Sequence, residues 1–313
     1  MHATPAVSII MNCLNCAEDL PAALDGVRAQ SFQDWEIIFW DNASTDASPG
    51  VARAFGPKLR YFRSGETVPL GAARNLALRE AGGRYIAFLD CDDLWLEKKL
   101  EKQVALFEAN PRLGLACTDT EIFSDAGILS RVFARTAPAR GRVFAELMQR
   151  QWISMSSAML RAQALHGLEH WFDEGLELCE EADLFYRVAH DWELDYVDAP
   201  LTRWRVHGAN TTFKKFGQFA RETLYILDKH RRLYPGYEEE HGELVELLTR
   251  RAAFQRGVAL WRDGQGAKAR ESIAPYAGGS VKFRLFQAAS YLPGGFFDVL
   301  SRLYFALPGW LRR

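Results

Sequence analysis

The sequence lacks the features of several large protein classes. No apolar run approaches the ~18 residues that a membrane-spanning helix needs, and no basic segment followed by a long apolar core opens the chain, so neither a spanning helix nor a secretory signal is expected. A basic excess is also missing. The formal net charge is −2 over 313 residues, which argues against a general nucleic-acid binder. We therefore expect no nucleic-acid partner and a protein that is soluble or peripheral to a membrane.

Cysteine is scarce and scattered. Of the five cysteines, only Cys13 and Cys16 form a C-x-x-C pair, and no second pair is present to complete a tetrahedral zinc site. Small buried residues are the simpler interpretation of this pair, with metal or redox use as the alternative. The odd number and the scatter suit a reducing cytoplasm, which is the compartment we expect.

Glycine is missing from the loop after the first predicted strand. That loop, residues 12–19, reads Asn-Cys-Leu-Asn-Cys-Ala-Glu-Asp and is acidic. A dinucleotide-binding dehydrogenase needs G-x-G-x-x-G at this point, so that class is excluded. A nucleotidyltransferase would be expected to carry a glycine-rich, basic loop here. It is therefore disfavoured, but it stays the alternative class of enzyme.

Apolar runs alternate with segments of helical periodicity. Helices are predicted between the strands, including one that begins at Leu94 and one at the acidic start of residues 177–188. The alternation predicts an α/β fold with a Rossmann-like, mostly parallel sheet flanked by helices. The predicted strands are residues 7–11, 35–40, 58–63, 84–89, 114–123 and 152–160, with an exposed or edge strand at 202–208.

Polar side chains follow three of the predicted strands. Asn12 comes after the first strand, Asp41 and Asn42 after the second, and the acidic run at residues 90–93 (Asp-Cys-Asp-Asp) after the fourth. The carboxyl ends of parallel strands meet at one edge of a sheet, where open α/β folds bind ligands. Crowded acids repel one another unless a positive charge is shared between them, and the usual solutions are a hard cation with oxygen ligands or a basic neighbour. The alternative is an acidic turn that caps the helix predicted from Leu94.

The character of the chain changes after about residue 214. Helices are predicted at residues 218–233, 243–261 and 267–276, followed by an aromatic tail at residues 280–313. The tail carries five basic residues against the single acid Asp298, a composition that suits a membrane surface. The alternative is a tail packed on its own domain.

Six stretches, taken in order, resemble the inverting family 2 glycosyltransferases with the GT-A fold. The resemblance covers residues 5–212. It implies a GT-A-type nucleotide-sugar glycosyltransferase domain at residues 1–215, and it leaves residues 216–313 as a helical region associated with a membrane surface or with the acceptor. The six stretches are Val7-Ser8-Ile9-Ile10 with Asn15, Trp40-Asp41-Asn42-Ala43-Ser44-Thr45-Asp46, Leu70-Gly71-Ala72-Ala73-Arg74-Asn75, Phe88-Leu89-Asp90-Cys91-Asp92-Asp93, Glu180-Glu181-Ala182-Asp183-Leu184 and Arg205-Val206-His207.

The resemblance implies a metal–diphosphate site at the acidic run. Asp90-Cys91-Asp92 is similar to the family's D-x-D motif, with Asp92 as the ligand of Mg²⁺ or Mn²⁺ and Asp90 nearer the ribose. His207 resembles the late histidine that completes this site in many members, and an ordinary surface histidine is the alternative. Asp93 is expected only to cap the following helix. A divalent cation suits this chemistry because it neutralises the charge that grows on a departing nucleoside diphosphate.

The remaining implied residues bind the nucleotide sugar and carry the proton. Glu181 falls where the family places its catalytic base, although Asp is usual there, and the adjacent Glu180 and Asp183 are the alternatives. A base must take the proton of the acceptor hydroxyl as the hydroxyl attacks the anomeric carbon. The residues expected to contact or support the nucleotide are Asn12, Asp41, Asn42, Arg74, Asp90 and Cys91.

These implications define the expected function. The chain carries no Gln-x-x-Arg-Trp motif of the processive synthases, so transfer of a single sugar is expected, from a nucleoside-diphosphate sugar to a glycan or lipid-linked acceptor. Bacterial-type cell-surface glycan assembly at the inner face of the cell membrane fits such an enzyme, with the tail as a peripheral membrane contact. A catalytically degenerate GT-A binding module is the non-enzymatic alternative.

Overall fold

The computed structural model describes residues 4–134, 137–207, 216–279 and 281–296. The chain divides into two compact units, residues 1–209 and 210–313, and each unit is described by itself. The functional division at residue 215 that the resemblance implies stays a prediction.

The first unit alternates strands and helices along its first half, as the periodicity predicts. Its strands are β1 (Val7–Cys13), β2 (Trp35–Asp41), β3 (Leu59–Arg63), β4 (Tyr85–Phe88), β5 (Leu94–Trp95), β6 (Leu113–Ser124), β7 (Gly127–Arg131), β8 (Met159–Arg161) and β9 (Glu193–Arg205). Its helices are α1 (Leu20–Arg28), α2 (Ser48–Arg53), α3 (Leu70–Arg79), α4 (Lys99–Ala109), α5 (Phe144–Gln149), α6 (Gln163–His166) and α7 (Glu180–Asp191).

The nine strands of the described residues form one sheet in the order β3-β2-β1-β4-β8-β6-β9-β5, with β7 paired to β6. Strands β3, β2, β1 and β4 are all parallel, which confirms the predicted α/β class. Beyond β4 the sheet is mixed, because β8 runs antiparallel to both β4 and β6 while β6 and β9 are parallel. The parallel half therefore carries the strand ends at which the polar residues were found.

The parallel half is covered on both faces. Alternate residues of β1 and β2, such as Ile9 and Ile37, join one apolar core with residues of α1, α2 and α4. On the opposite face Phe88 packs edge-on against Phe172. A Cβ atom at Gly83 would lie 2.5 Å from the backbone nitrogen of Ser8, so only glycine lets the chain enter β4 this close to β1.

The prediction that a helix begins at Leu94 is wrong. Residues Leu94 and Trp95 form β5, which pairs with β9, and α4 starts only at Lys99. The reason is a tertiary contact: the buried indole of Trp95 donates its N–H to the carbonyl oxygen of Ser156 at 2.7 Å. A three-residue apolar run fits a strand or a helix equally well, so periodicity could not decide.

Two further strand predictions need correction. Residues 152–160 hold a 3₁₀ turn at Met155–Ser157 and only the short strand β8, rather than one continuous strand. Strand β9 does not lie at an edge, because it runs between β6 and β5. Its Thr202 is buried and shares a 2.9 Å hydrogen bond with Thr118 of β6. The polar side chain of Thr202 therefore contacts the neighbouring strand and is not exposed to solvent.

The second unit is helical in its described parts. Its helices are α8 (Phe216–Leu233), α9 (Tyr237–Arg262), α10 (Gly266–Ile273) and α11 (Val281–Ala289), with a 3₁₀ segment at Ala274–Gly279. Trp261, Ile273 and Phe286 share its apolar core. No described helix is both long and apolar enough to cross a membrane. The predicted basic tail is described only as far as residue 296, so Asp298 and the residues after it lie outside the described part.

Candidate active site

The acidic run lies at the carboxyl end of β4 and is held there by Asp93. The side chain of Asp93 is buried; it accepts a 2.5 Å hydrogen bond from the Ser156 hydroxyl and a 2.9 Å bond from the backbone N–H of Arg205. The same Ser156 oxygen accepts the backbone N–H of Asp90 at 3.0 Å. Asp93 is therefore not the helix cap that the sequence suggested, because it fixes the turn to a 3₁₀ segment and to β9.

Asp92 and His207 face each other. The Oδ2 atom of Asp92 lies 3.2 Å from Nε2 of His207, and their side chains are 31% and 39% exposed. Burial and the nearby Asp90 raise the pKa of Asp92, while its hydrogen bond with His207 opposes that rise. A carboxylate and an imidazole at one partly open point are a donor pair that a divalent cation can use. The pair matches the two metal ligands that the resemblance implies.

Arg74 connects the acidic run to α7. Its guanidinium is buried; it donates to Oε1 of Glu180 at 2.7 Å and to Oδ1 of Asp90 at 3.1 Å, and it lies 3.5 Å from Oε2 of Glu181. Burial alone would lower the pKa of Arg74, but Asp90, Glu180 and Glu181 together raise it. The buried guanidinium of Arg74 therefore contacts carboxylates of both the acidic run and α7, so these two segments lie next to each other.

The two glutamates of α7 differ in what they can reach. Glu180 has a 4% exposed side chain and contacts Arg74 closely, whereas the side chain of Glu181 is 30% exposed and lies farther from it. Burial, reinforced by Glu180 and Asp90 and opposed by Arg74, raises the pKa of Glu181 to about 8. Asp183, the other alternative, is fully buried and bound to Arg187 at 2.8 Å. Glu181 therefore has the most solvent-accessible carboxylate of the three.

Asp41 and Asn42 lie at the expected edge of the sheet, but both side chains are already hydrogen-bonded to neighbouring groups. The buried carboxylate of Asp41 accepts from the Tyr61 hydroxyl at 2.5 Å and from Arg63 at 2.7 Å. Asn42 donates to the Val68 carbonyl at 2.8 Å and accepts its N–H at 3.0 Å. These two residues therefore shape the loops beside the site rather than offering free polar atoms to a ligand.

Asn12 and Cys91 complete the set of predicted residues. The Nδ2 atom of Asn12 is buried and has no hydrogen-bond partner among the described residues. The thiol of Cys91 is buried and donates to the Asn12 carbonyl oxygen at 3.3 Å, which links the ends of β1 and β4. An amide nitrogen without a partner at a strand end leaves its two N–H donors for a ligand's acceptor atoms.

Sequence reasoning missed several supporting residues. Ser156 holds the acidic turn, and Asn75 holds the segment around Phe172 by donating to its carbonyl oxygen and accepting its N–H, both at 2.9 Å. Asn75 lies inside a stretch that carries the family resemblance, so the sequence offered a signal there. Ser156 had only the small-residue character of its neighbours. A shallow, open depression lined by Trp40, Arg63 and Leu76 includes none of the predicted site residues.

The buried charges around Arg74 predict a large effect on stability. Replacing Arg74 by methionine leaves the buried Glu180 without its cation, and breaking such a pair typically costs about 3–5 kcal/mol. We expect the free energy of unfolding, measured by urea titration, to fall by that amount. Arg60→Met is the matched control, because Arg60 is 45% exposed and its pairs with Glu36 and Glu80 contribute about 0–1 kcal/mol. Equal losses in the two variants would contradict the proposed buried pair.

Comparison with known proteins identifies the family of residues 8–161. Residues 8–161 match the family model Glycosyl transferase family 2. Among solved structures, S. aureus TarS 1-349 in complex with UDP-GlcNAc superposes with a TM-score of 0.59 at 16% identity, covering 90% of each chain. The mannosyltransferase PcManGT from Pyrobaculum calidifontis, in complex with GDP-Man and Mn²⁺, gives 0.61 at 18% identity, covering 93% of this chain and 80% of that one.

Curated relatives point the same way. EpsE of Bacillus subtilis (strain 168), named as a glycosyltransferase, is 27% identical over 209 residues, which are 61% of this chain and 75% of EpsE. The Escherichia coli enzyme WfgD, named as a UDP-Glc:alpha-D-GlcNAc-diphosphoundecaprenol beta-1,3-glucosyltransferase, is 31% identical over 129 residues. Those residues are 41% of this chain and 51% of WfgD.

The structural likenesses confirm the predicted GT-A fold. Residues 8–161 of the chain form a family 2 glycosyltransferase domain.

Proposed function

We propose that the protein transfers a single sugar from a nucleoside-diphosphate sugar to an acceptor hydroxyl, with inversion at the anomeric carbon. The observation that carries this proposal is the shared contact of Arg74 with Asp90, Glu180 and Glu181, which brings a D-x-D turn and a solvent-accessible carboxylate to one point. The family match disfavours the nucleotidyltransferase alternative. Retention of acids at positions 90, 92 and 181 argues against a degenerate binding module.

The residues present fit a divalent cation. Asp92 and His207 offer an oxygen and a nitrogen 3.2 Å apart, and the crowding of Asp90 against Asp92 leaves negative charge for a cation to offset. Asp92 and His207 would hold Mg²⁺ or Mn²⁺, which neutralises charge on the departing diphosphate when it is bound. The complex of PcManGT with GDP-Man and Mn²⁺ supports this assignment.

The chain's own residues divide the remaining work. Glu181 accepts the proton of the acceptor hydroxyl as that oxygen attacks the anomeric carbon, and Glu180 keeps Arg74 in place beside it. The Asn12 amide donates to the nucleotide moiety, while Asp41 and Asn42 hold the loops around that moiety. No covalent intermediate is needed, because a single displacement already inverts the anomeric carbon.

A thermal-shift screen tests the donor side of this proposal. The full-length protein is heated with each common nucleoside diphosphate in the presence of Mn²⁺, and again with the cation chelated. Binding to the folded state alone raises the melting temperature, by an amount that grows with the ratio of ligand concentration to Kd. We expect one base to give the largest shift and chelation to abolish it. No shift with any nucleoside diphosphate would contradict the proposal.

The raised pKa of Glu181 predicts the pH dependence of transfer. A general base works only when deprotonated, and burial raises the pKa of Glu181 from 4.5 to about 8. We therefore expect kcat/KM to fall about tenfold per pH unit as pH drops below that pKa, and to level off above it. The residual kcat/KM of Glu181→Gln should not show this decline at low pH. A wild-type profile that is already flat from pH 6 upward would contradict the assignment.

The acceptor is proposed to be lipid-linked. The diphosphoundecaprenol substrate in the name of WfgD supports this, as does a solvent-facing apolar row on α11, where Val281 and Leu285 are more than half exposed next to Lys282 and Arg284. Such a surface suits anionic lipid headgroups. We propose accordingly that the enzyme works in the cytoplasm, at the inner face of the cell membrane.

Vesicle co-sedimentation tests this membrane contact. We expect full-length protein to sediment with vesicles that contain anionic phospholipid, and the double variant Val281→Ser, Leu285→Ser to lose most of that binding, because it removes two exposed apolar side chains. Leu247→Ser is the matched control, since Leu247 is a 42% exposed leucine on α9. Equal sedimentation of the double variant and the wild type would contradict the proposed surface.

A further inference from the structure

Three of the five cysteines converge beside the D-x-D turn. Cys13 ends β1, Cys16 lies in the loop that follows, and Cys91 comes after β4; all three are free thiols. Their Sγ atoms all lie within 4.8 Å of one another. The sequence presented Cys13 and Cys16 as an isolated pair, because Cys91 is far away along the chain. The parallel pairing of β1 with β4 supplies the third thiol.

The spacing of these thiols suits a soft cation. A zinc–thiolate bond is about 2.3 Å, so two sulfur ligands of a tetrahedral zinc ion lie roughly 3.8 Å apart. The cluster therefore needs to contract by about 1 Å or less, which a loop residue such as Cys16 can supply through side-chain rotation. Thiolates select Zn²⁺ and other thiophilic cations over Mg²⁺ and Mn²⁺, which prefer oxygen ligands.

The surroundings of the cluster leave room for a cation to enter. Cys13 and Cys91 are buried, while Cys16 is only half-buried and opens the cluster to solvent. The hydroxyl of Ser44 lies 3.8 Å from Sγ of Cys13, so it or a water molecule can take the fourth position.

We infer that Cys13, Cys16 and Cys91 form a second cation site, which binds one thiophilic ion of the Zn²⁺ class separately from the carboxylate site at Asp92. Because Cys91 stands between Asp90 and Asp92, an ion held there fixes the D-x-D turn to the end of β1 and to the loop that carries Cys16. The site thereby orders the metal–diphosphate edge without taking part in the transfer.

Cobalt titration of reduced protein under anaerobic conditions tests this inference. Co²⁺ replaces Zn²⁺ at thiolate sites and gives a sulfur-to-metal charge-transfer band in the near ultraviolet. Excess Mg²⁺ is included to occupy the carboxylate site. We expect the band to saturate at one Co²⁺ per chain and to disappear when one equivalent of Zn²⁺ is added. Absence of the band at stoichiometric Co²⁺ would overturn the inference.

Variants separate this site from the rest of the molecule. Cys16→Ser replaces a half-buried residue and should leave the fold intact, yet we expect it to weaken Co²⁺ binding by at least about tenfold. Cys179→Ser is the matched control, since Cys179 lies outside the cluster, and it should bind as the wild type does. Asp92→Ala should also keep the band. The result for the thiol site therefore does not depend on whether the proposed transferase activity is found. A band that persists unchanged in Cys16→Ser would overturn the assignment.

Discussion

Replacing Asp92 by alanine is expected to lower metal-dependent sugar transfer by about 10³-fold or more while the fold survives. Charge neutralisation by a bound cation is worth several kcal/mol at the transition state, and each 1.36 kcal/mol is a factor of ten in rate. Asp92 supplies the carboxylate half of the proposed cation site, with His207 at 3.2 Å as its other half. The rate of nucleoside diphosphate release from a nucleotide sugar, followed at saturating Mn²⁺, measures the effect.

The fold should tolerate this change because the charged carboxylate of Asp92 does not stabilise the folded state. Burial and Asp90 raise its pKa in the folded state. A raised carboxyl pKa means that folding disfavours the charged form, so removing the charge costs no electrostatic stability at neutral pH. Asp25→Ala, in an exposed pair with Arg28, is the control and should keep full activity. Undiminished turnover by Asp92→Ala would contradict the cation assignment.

Replacing Glu181 by glutamine is expected to remove transfer but not donor binding. General base catalysis contributes roughly 10²–10⁴-fold, and glutamine is close to glutamate in size but cannot accept the proton. Because Glu181 is only loosely held by Arg74, at 3.5 Å, the variant should not disturb the buried pair of Arg74 with Glu180. We expect kcat to fall by that factor while the Kd of the nucleoside diphosphate changes little.

The neighbouring glutamate provides the contrast for this prediction. Glu180→Gln weakens the hold on the buried Arg74, so it should lower the free energy of unfolding and disturb donor binding together. Glu181→Asp should retain part of the activity, because a shorter carboxylate can still accept a proton. Full activity in Glu181→Gln would move the base to another carboxylate and contradict the assignment.

The sequence could predict the edge of the sheet on which the site lies, because that edge depends on local patterns. Apolar runs ending at Asn12, Asp41 and Asp90 identified three strand ends, and parallel pairing of β1 with β2 and β4 brings those ends together. The family resemblance then implied roles for residues already singled out by position. Those roles stay predictions, and the structure contributes the distances between the residues.

The contacts that hold the site could not be predicted, because they join residues far apart along the chain. Arg74 meets Glu180 across 106 residues, and Asp93 meets the backbone of Arg205 across 112. Local pattern favoured Asp93 as a helix cap, since Asp is a good cap and an apolar run follows it. The buried hydrogen bonds of Asp93 outweigh that propensity, and the contact of Trp95 with Ser156 favours the strand at Leu94 and Trp95 over a helix.

The contacts of Asp41 show why a single motif predicts ligand contacts poorly in this protein. Asp41 stands where the resemblance implies nucleotide contact, yet Tyr61 and Arg63 already occupy its carboxylate. Neither partner is marked by any pattern in the sequence. A residue type at a strand end therefore predicts the location of a site better than it predicts the atom that meets the ligand.

The anomeric configuration of the released sugar tests the central claim most directly. Water can stand in for the acceptor, so slow hydrolysis of an α-linked nucleotide sugar by the full-length protein with Mn²⁺ is followed by proton NMR from its first minutes. The proposed single displacement assisted by Glu181 predicts that the β-anomer appears first, and that Asp92→Ala and Glu181→Gln release neither anomer above background. Initial release of the α-anomer, or equal release by the Glu181→Gln variant, would contradict the proposed mechanism.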